Sequence, residues 1–299
     1  MLNPKPSLKT TLHALAYLAP LLIITVLFTV WPLLSAVRLS LATRSNFYTG
    51  RVTAYGWANF GALWHDPDFH RAVQHTLLFT LGVVPASVLL ALGVALLLNR
   101  LPHCARFFQT LYFLPFVTST VAVSLVWGWL FQADHGVVNG LLHTNIDWLN
   151  DPHYSLLALI LLCLWQSLGF NTLLFLAGLN HIDDRYLLVA QLSGATAWQR
   201  FWHVTWPLLT PTVILITVNA LITNFKVFDQ VYALFHGSAG PANADLTLTY
   251  YLYQKFYIEN QTGLAAASGL VLFGLVLLIT GLAGGYFHHW TRWLRKDTR

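Results

Sequence analysis

The sequence predicts an all-α membrane protein with six transmembrane helices, both termini in the cytoplasm, and a short cytoplasmic loop between the fourth and fifth helices. Of its 299 residues, 56% are hydrophobic and only 9% are charged, whereas soluble domains average about 25% charged residues. Six stretches without a charged residue are each long enough to cross the ~30 Å hydrocarbon core of a bilayer as a helix. The basic residues are concentrated in alternate connections between these stretches. These three observations give the predicted fold class and topology.

The predicted spans follow the charge-free stretches in chain order. They cover approximately residues 12–37, 74–98, 108–131, 155–179, 207–228 and 264–287. Uninterrupted apolar runs lack the alternation of a membrane barrel strand, so each span is predicted to be a helix. The first apolar run is too long for the hydrophobic region of a signal peptide and lacks a convincing cleavage site. We therefore expect it to remain in the protein as the first span.

The distribution of Lys and Arg sets the orientation. With both termini inside, ten of the 16 basic residues lie in the cytoplasm, which agrees with the positive-inside rule. Residues 1–11 then form a cytoplasmic N-terminus, residues 12–290 the six-span domain, and residues 291–299 a basic cytoplasmic tail. The loop at residues 181–206 is cytoplasmic. The external connections are residues 39–71, 134–151 and 226–259.

Composition and motifs exclude several classes of function. Basic residues outnumber acidic ones by 16 to 11, but they form no stripe that could contact phosphates, so no nucleic-acid partner is expected. Two cysteines are too few for a disulfide framework. The chain has no G-x-x-x-x-G-K-[ST], H-E-x-x-H or G-x-S-x-G motif. We expect no enzymatic activity, no bound metal and no bound cofactor on this chain.

The cytoplasmic loop begins with the signals of a short helix and a turn. Asp184 is predicted to cap a helix from Arg185 to Leu192, because its side-chain oxygen can accept a hydrogen bond from a free backbone N–H. Ser193 and Gly194 are predicted to end that helix, since glycine tolerates the positive φ of a sharp turn.

A second helix and the fifth span are predicted to follow this turn. Thr196 and Gln199 have the spacing of a capping box, and Pro207 suits the first turn of span five, where a missing N–H costs nothing. Three tryptophans occupy this part of the loop: Trp198, Trp202 and Trp206. An amphipathic segment with these tryptophans at headgroup depth and a docking surface for a cytoplasmic partner are equally compatible with the pattern.

The residue order "LLVAQLSGATAWQRFWHVTWPLLTP" resembles the EAA loop of binding-protein-dependent ABC importer permeases. The usual form of that loop is Glu-Ala-Ala, three residues, Gly, and then a Phe and a Pro at set distances. Leu188-Val189-Ala190 stands at the Glu-Ala-Ala position and Gly194 at the glycine. Phe201 and Pro207 match the last two positions. The resemblance implies coupling helices that sit in a cleft of an ATPase, with candidate residues Arg185, Leu188, Ala190, Gly194, Ala195, Arg200, Phe201 and Pro207.

The chain departs from this pattern at its first position. Leu188 stands where the family usually has Glu, and the only glutamate of the whole chain is Glu259. Docking is therefore expected to depend on shape and apolar contact, together with Arg185 or Arg200.

A second passage resembles the carbohydrate-importer branch of the same family. Phe228-Asp229 matches a Phe-Asp near the outer end of span five, and Gly240-Pro241 matches a Gly-Gly-Pro turn. The Tyr-rich segment from 250 to 253 and the small residues from 263 to 267 follow in the family's order. The resemblance is to permeases of disaccharide, oligosaccharide and glycerol-phosphate importers, and it covers nearly the whole chain.

The resemblance also implies partners and a location. The chain would pair with a second permease subunit, most often a different one, in a bacterial or archaeal cytoplasmic membrane. A dimer of cytoplasmic ATPases would bind ATP and Mg²⁺, and an extracytoplasmic solute-binding protein would deliver the cargo. The alternative from another class is an ATP-independent secondary transporter or channel. The absence of Asp, Glu, Lys and Arg deep within the predicted spans argues against proton or sodium coupling.

Polar side chains within spans four and five are the candidates for the substrate path, because a polar group within a bilayer is costly. They are Gln166, Ser167, Asn171, Asn219, Thr223 and Asn224, with Phe228 and Asp229 near the outer end of span five. Asn and Gln both donate and accept hydrogen bonds, as sugar hydroxyls require, and an aromatic such as Phe170 or Phe228 could stack on a sugar. Hydrogen bonding between helices is the competing role for each polar residue. Lys226 and Asp229 are expected to form a local ion pair.

Overall fold

A computed structural model describes residues 8–45 and 52–297. The predicted N-terminal segment at residues 1–11 and the basic tail therefore lie partly outside the described residues. Within that part, the chain is mostly helical and divides into two compact units. The first unit comprises the described residues up to His65 together with Leu252–Val271, and the second comprises Asp66–Tyr251 together with the chain from Leu272 onward.

The N-terminal helix of the first unit changes its winding in the middle. Helix α1 (Leu8–Thr25) passes through a π-helical turn (Val26–Val30) into α2 (Trp31–Ser40). Pro32 follows this turn at the start of α2. A proline has no N–H and its ring collides with the carbonyl four residues earlier, and a π turn is one way for a continuous helix to accommodate such a residue. The backbone N–H of Trp31 accordingly donates to the carbonyl of Val26.

A short antiparallel hairpin and a helix complete this part of the first unit. Strand β1 (Ala42–Ser45) pairs with β2 (Val52–Tyr55), and helix α3 (Ala58–His65) follows. The side-chain amide of Asn59 donates to the carbonyls of Ser40 and Ala42 at 2.8 and 2.9 Å. The expectation of an all-α fold is thus wrong in this detail. A charge and hydropathy search for spans does not detect two strands of four residues that pair only with each other.

The second unit contains the helices that form the functional regions. They are α4 (Pro67–Asn99), α5 (Pro102–Val117), α6 (Thr120–Leu130), α7 (Val137–Leu142), α8 (Pro152–Asn180), α9 (Asp184–Leu192), α10 (Ala197–Arg200), α11 (Trp206–Phe225) and α12 (Asp229–Leu234). A 3₁₀ turn (Pro241–Asn243) and α13 (Leu248–Tyr253) follow. A π turn (Gln254–Ile258) then leads to α14 (Thr262–Asp297). The divisions between the two units fall within α13, between Tyr251 and Leu252, and within α14, between Val271 and Leu272.

Helices α4, α8 and α11 pack together as the core of the second unit. Its fully buried side chains include Ala91 on α4, Phe175 on α8, and Leu209 and Ile216 on α11. Gly169 lies where α8 passes close to α5, and a Cβ at this position would overlap the carbonyl of Tyr112. Close approach through small residues is how helices associate in a bilayer, where the apolar effect gives little driving force.

The predicted third span is two helices. Helices α5 and α6 meet at an angle of 106° with a break of two residues, Thr118 and Ser119. Pro115 lies in the last turn of α5 and removes one backbone donor. The hydroxyl of Thr118 donates to the Pro115 carbonyl at 2.8 Å. Among the described residues, five helices are long and apolar enough to cross a membrane, or six if this bent pair counts as one span.

Candidate functional site

A small polar cavity lies where the ends of several helices of the second unit meet. Its volume is about 170 Å³, room for about six water molecules. It is lined by Phe116, Thr120, Cys163, Gln166, Ser167, Thr223, Asn224, Val227 and Gln230. Four of the predicted path residues, two from α8 and two from α11, therefore lie at one cavity.

The side chain of Gln166 is the centre of the hydrogen bonds in this cavity. Its Nε2 donates to Thr120 Oγ1 on α6 at 3.1 Å, and its Oε1 accepts from Gln230 Nε2 on α12 at 3.1 Å. Gln166 is buried, whereas Thr120 and Gln230 are half-buried. One amide thus connects three helices, so the bond between helices that the sequence left as an alternative role is formed here.

The other polar residues of the cavity satisfy part of their hydrogen bonding on their own helices. Asn224 Nδ2 donates to the Ala220 carbonyl at 2.7 Å, and Ser167 Oγ donates to the Leu164 carbonyl at 3.2 Å. These bonds leave Asn224 Oδ1 and the Ser167 oxygen able to accept a further hydrogen bond. The cavity therefore has unused hydrogen-bonding capacity.

An aromatic pair borders the cavity. Phe116 lines it, and its ring stacks on Phe170 with centroids 4.5 Å apart and planes at 13°. Phe228 instead packs in an aromatic cluster with Tyr232 and Tyr250, at 5.5 and 6.0 Å between centroids. Of the two aromatics considered for stacking, Phe170 supports the cavity through Phe116, and Phe228 does not line it.

The remaining predicted path residues lie elsewhere. Asn171 is buried on α8 outside the cavity lining, and Asn219 is exposed on α11, one turn before Thr223. Asp229 is exposed in the first turn of α12, where a carboxylate is favoured by the helix dipole. The expected ion pair with Lys226 is not formed: Lys226 caps the end of α11 instead.

Sequence reasoning missed three polar or aromatic residues of the cavity. Thr120 begins α6, Phe116 lies in the last turn of α5, and Gln230 lies in the connection that the sequence predicts to be external. The only available signal for the first two was the Pro115 to Ser119 stretch, which could have been read as a break within an apolar run. No local signal indicated Gln230.

The connection after α11, which is predicted to be external, is tightly packed. Thr247 Oγ1 donates to the Val227 carbonyl at 3.1 Å, and Thr76 Oγ1 on α4 accepts from the Leu248 N–H at 2.9 Å. Asp245 is fully buried in this connection. Burial raises the pKa of Asp245 to about 7, against a smaller opposing effect of the Ser155 hydroxyl. These contacts fix the segment that carries Gln230.

The loop between α8 and α11, which is predicted to be cytoplasmic, folds as a helix and a glycine turn. Asp183, one residue before the predicted Asp184, is the cap of α9: its Oδ1 accepts from the Arg185 N–H at 2.9 Å. Gly194 has φ +80°, and the N–H of Ala195 donates to the Ala190 carbonyl at 3.0 Å. The cap is displaced by one position because either aspartate can accept from the first-turn donors.

The second half of the loop joins the following span without a break. Thr196 Oγ1 accepts from the Gln199 N–H at 3.3 Å, and Gln199 Oε1 accepts from the Thr196 N–H at 2.8 Å, which completes the predicted capping box. Helix α10 then continues through a π turn (Phe201–Thr205) into α11. Pro207 therefore lies within one continuous helix and does not begin a separate one. This π turn precedes Pro207 in the same way as the π turn Val26–Val30 precedes Pro32.

Helix α9 presents apolar side chains to the surroundings. Leu188, Val189 and Leu192 have 56, 62 and 80% of their surface exposed. Ala190 and Ala195 are half-buried. Exposed apolar side chains grouped on one short helix are typical of a surface that a partner covers.

The two basic residues of the loop differ in their availability. Arg185 is exposed, with its Nε 4.0 Å from Asp183 Oδ2. Arg200 is half-buried, and its Nη1 donates to Gln191 Oε1 at 3.3 Å, which links α10 to α9. Phe201 is also half-buried and packs against the core of the second unit. Arg200 and Phe201 thus hold the loop in place, and Arg185 is the more accessible cation.

The three tryptophans form a row along α10 and α11. The ring centroids of Trp198 and Trp202 are 5.5 Å apart, and those of Trp202 and Trp206 are 5.6 Å apart. Trp198 is 70% exposed and Trp202 42% exposed. The row is compatible with a membrane interface, and the exposed apolar side chains of α9 are compatible with a partner surface.

Comparison with known proteins identifies related sequences. Residues 75–292 match the family described as "Binding-protein-dependent transport system inner membrane component". The chain is 35% identical over 277 residues to the lactose transport system permease protein LacF of Rhizobium radiobacter, covering 89% of this chain and 91% of LacF. It is 31% identical over 271 residues to the sn-glycerol-3-phosphate transport system permease protein UgpA of Brucella abortus, covering 88% and 90%.

The fold is similar to that of a solved transporter subunit. The match is to a crystal structure of a bacterial ABC transporter involved in the import of the acidic polysaccharide alginate, with a TM-score of 0.78 and 24% sequence identity. It covers 95% of this chain and 96% of the other. At this identity the match describes the fold.

Proposed function

This chain belongs to the family of binding-protein-dependent transport system inner membrane components, and from that membership we propose that it is one of two permease subunits of an ATP-driven carbohydrate importer. Its cargo is a di- or oligosaccharide, or a related polyol or glycerol phosphate. The permease subunits named above, for lactose and for sn-glycerol-3-phosphate, support this range of cargo.

The observation that carries the proposal is the polar cavity around Gln166. Amides and hydroxyls from α6, α8 and α11, which belong to candidate spans, meet there with the amide of Gln230 from the short helix α12. Polar groups inside a membrane are costly unless they have a function or a partner. The chain provides one wall of the path, and a second permease provides the other. A path shared between two subunits opens and closes when the subunits move against each other.

The cytoplasmic loop provides the coupling to ATP. We propose that α9 docks in a cleft of a cytoplasmic ATPase with Leu188, Val189 and Leu192 as its contact residues. ATP and Mg²⁺ bind to the ATPase dimer, and this chain binds no cofactor. Arg200 and Phe201 fix the loop to the helix that continues into α11. A displacement of α9 would therefore move α11 and, with it, the cavity residues Thr223 and Asn224.

The proposed arrangement in the membrane has six spans, with the bent α5–α6 pair as the third and both termini in the cytoplasm. The basic residues of the chain support this orientation, because ten of the 16 then lie inside. An extracytoplasmic binding protein delivers the cargo to the opposite side, near Gln230 and the external connections.

Reconstitution into vesicles tests this function. The chain, its second permease, the ATPase dimer and the binding protein are incorporated together, and uptake of a labelled sugar panel is measured with ATP inside the vesicles. We expect uptake that requires both ATP and the ATPase subunits. Uptake that persists after omission of the ATPase would show instead a secondary transporter or channel.

A further inference from the structure

We propose that the cavity around Gln166 selects a neutral carbohydrate over one that carries a phosphate, sulfonate or carboxylate group. This inference rests on the proposed function and narrows its cargo. The relatives leave the question open, because one is a lactose permease, another a glycerol-phosphate permease, and the structural match belongs to an importer of an acidic polysaccharide.

The first argument is the charge of the cavity wall. All nine residues that line the cavity lie in the part of the chain that the structure describes, and none of them is Lys, Arg, His, Asp or Glu. Lys226, next to the lining residue Val227, is exposed at the end of α11 and is not part of the lining. An anionic group in this cavity would lose part of its hydration and would gain no cation from this wall, which is costly in free energy.

The second argument is the balance of donors and acceptors. Each of the amides of Gln166, Asn224 and Gln230 has one oxygen that can only accept, whichever way the amide is oriented. Gln166 uses its oxygen to bind Gln230, so Gln230 and Asn224 retain free acceptor oxygens. A sugar hydroxyl can donate to these oxygens and accept from the remaining N–H groups. A carboxylate or a phosphate dianion has no hydrogen to donate, so it could use only the N–H groups and would be repelled by the same oxygens.

The third argument is the aromatic ring at the rim. Phe116 lines the cavity, and the ring of Phe170 stacks on the Phe116 ring. The C–H face of a pyranose can pack on such a ring. An aromatic face carries negative charge density and therefore does not favour an anion.

The geometry further assigns Gln230 as a specificity-determining residue. It is half-buried, it lines the cavity from α12, and its Nε2 donates a hydrogen bond to Gln166 Oε1 in the cavity wall. A substitution at Gln230 changes the charge of the wall without changing the packing of α4, α8 and α11, because Gln230 lies outside that core.

The experiment compares two charge variants of opposite sign in the complete importer. Gln230→Lys and Gln230→Glu both remove the amide and both add a charge. For a neutral cargo we expect the two variants to lower ATP-dependent uptake by similar factors, within about threefold of each other. For an anionic cargo the Lys variant would exceed the Glu variant by tenfold or more, since the lysine would attract the anion and the glutamate would repel it.

Matched controls keep this comparison interpretable. Gln132 is exposed in the external connection after α6 and is not part of the cavity lining, so Gln132→Lys and Gln132→Glu should leave uptake near that of the wild type. If either Gln230 variant fails to insert, the same pair at Thr223 replaces it, because Thr223 lines the cavity but is exposed and can hold a hydrated charge.

The outcomes separate this inference from the proposed function. Similar uptake by the two Gln230 variants, with a neutral sugar as the transported member of the panel, supports the inference. ATP-dependent uptake of an acidic sugar or phosphate ester, with Lys far above Glu, overturns the inference but leaves the importer function in place. ATP-independent uptake, or no uptake of any panel member by the wild type, contradicts the importer function itself.

Discussion

Gly194 shows how a single residue controls the geometry of the loop between α8 and α11. Its φ of +80° lies in the region that residues with a Cβ rarely adopt, and a Cβ built there would meet no other atom within 4 Å. The requirement for glycine is therefore one of backbone conformation and not of space. The turn after α9 depends on this conformation, since the N–H groups of Gly194 and Ala195 bond back to Gln191 and Ala190.

We predict that Gly194→Val separates ATP hydrolysis from transport. A β-branched residue at this φ costs about 1–3 kcal/mol, so the turn changes and α9 no longer points into its cleft. ATP-dependent uptake in vesicles should fall at least tenfold, while the amount of protein in the membrane stays the same. Gly194→Asn is the control, because Asn tolerates the left-handed region and should retain most of the uptake. Equal uptake by the Val variant and the wild type would contradict the docking role.

Asp245 predicts a pH dependence of stability. Its pKa in the folded protein is about 7, against an ordinary value of 3.8, because the carboxyl group is buried. A raised folded pKa means that the folded state binds the proton more tightly than the unfolded state. The stabilisation is therefore complete below about pH 4 and is lost as the pH rises to about 7.

The measurement is the thermal unfolding midpoint of the purified protein at a series of pH values between 5 and 8. The wild-type midpoint should fall as the pH rises towards 7, and Asp245→Asn should show a flatter profile because it removes the titrating group. Asp229→Asn, at an exposed carboxylate, should leave the wild-type profile unchanged. An identical slope for Asp245→Asn and the wild type would show that other groups cause the dependence.

At the scale of elements, the contact between α5 and α8 depends on the absence of a side chain at Gly169. A Cβ there would overlap the Tyr112 carbonyl. This contact also brings Phe116 and Phe170 into their stack, so it determines the shape of the cavity rim. Gly169 is buried on α8, only three residues after Gln166.

We predict that Gly169→Ala destabilises the protein by about 1–3 kcal/mol, because the two helices must move apart. The thermal unfolding midpoint in detergent should fall, and sugar uptake should fall with it. The matched control is Gly93→Ala on α4, where a Cβ would meet nothing within 4 Å. That variant should be neutral or slightly stabilising, since Ala is a better helix former by about 1 kcal/mol. A Gly169→Ala midpoint at or above that of the wild type would contradict the close contact.

Elements were predictable from the sequence to the extent that their signals are local. The capping box of Thr196 and Gln199 and the turn at Gly194 are both present as predicted, because each depends on residues within four positions. The break between α5 and α6 and the continuity of α10 with α11 were not predicted. Both features depend on how a helix accommodates a proline. The helix breaks after Pro115, whereas it widens into a π turn before Pro207. The surrounding packing decides between these two outcomes.

At the scale of the whole molecule, the described helices leave much apolar surface uncovered. In the most apolar 18-residue stretch of the candidate span Ala16–Ser40 no residue is buried, and in that of Pro67–Asn99 39% of the residues are buried. Such surfaces are compatible with lipid and with the second permease of the proposed assembly. The orientation of the chain in the membrane is the property of the whole molecule that most directly tests the proposal.

We predict that the loop at Ser193 faces the cytoplasm and that Gln132 faces the outside. Both residues are exposed. In a variant whose two native cysteines, Cys104 and Cys163, are replaced by alanine, Gln132→Cys should react with a membrane-impermeant maleimide on intact cells. Ser193→Cys should react only after the membrane is permeabilised. The opposite pattern of labelling would contradict the orientation and, with it, the coupling role of α9.

The sequence by itself determined the class of the protein, the position of most of its helices, and the capping box and glycine turn of the loop between α8 and α11. These properties depend on composition and on neighbouring residues, so they can be predicted from the sequence. Only the tertiary structure brought Thr120 and Gln230 to Gln166, across 46 and 64 residues of sequence. It also separated Asn171, Asn219, Phe228 and Asp229 from that cavity. Which side chains share a cavity depends on the break in the third span and on the packing of α4, α8 and α11, because the orientation of each helix about its axis is set by contacts with its neighbours.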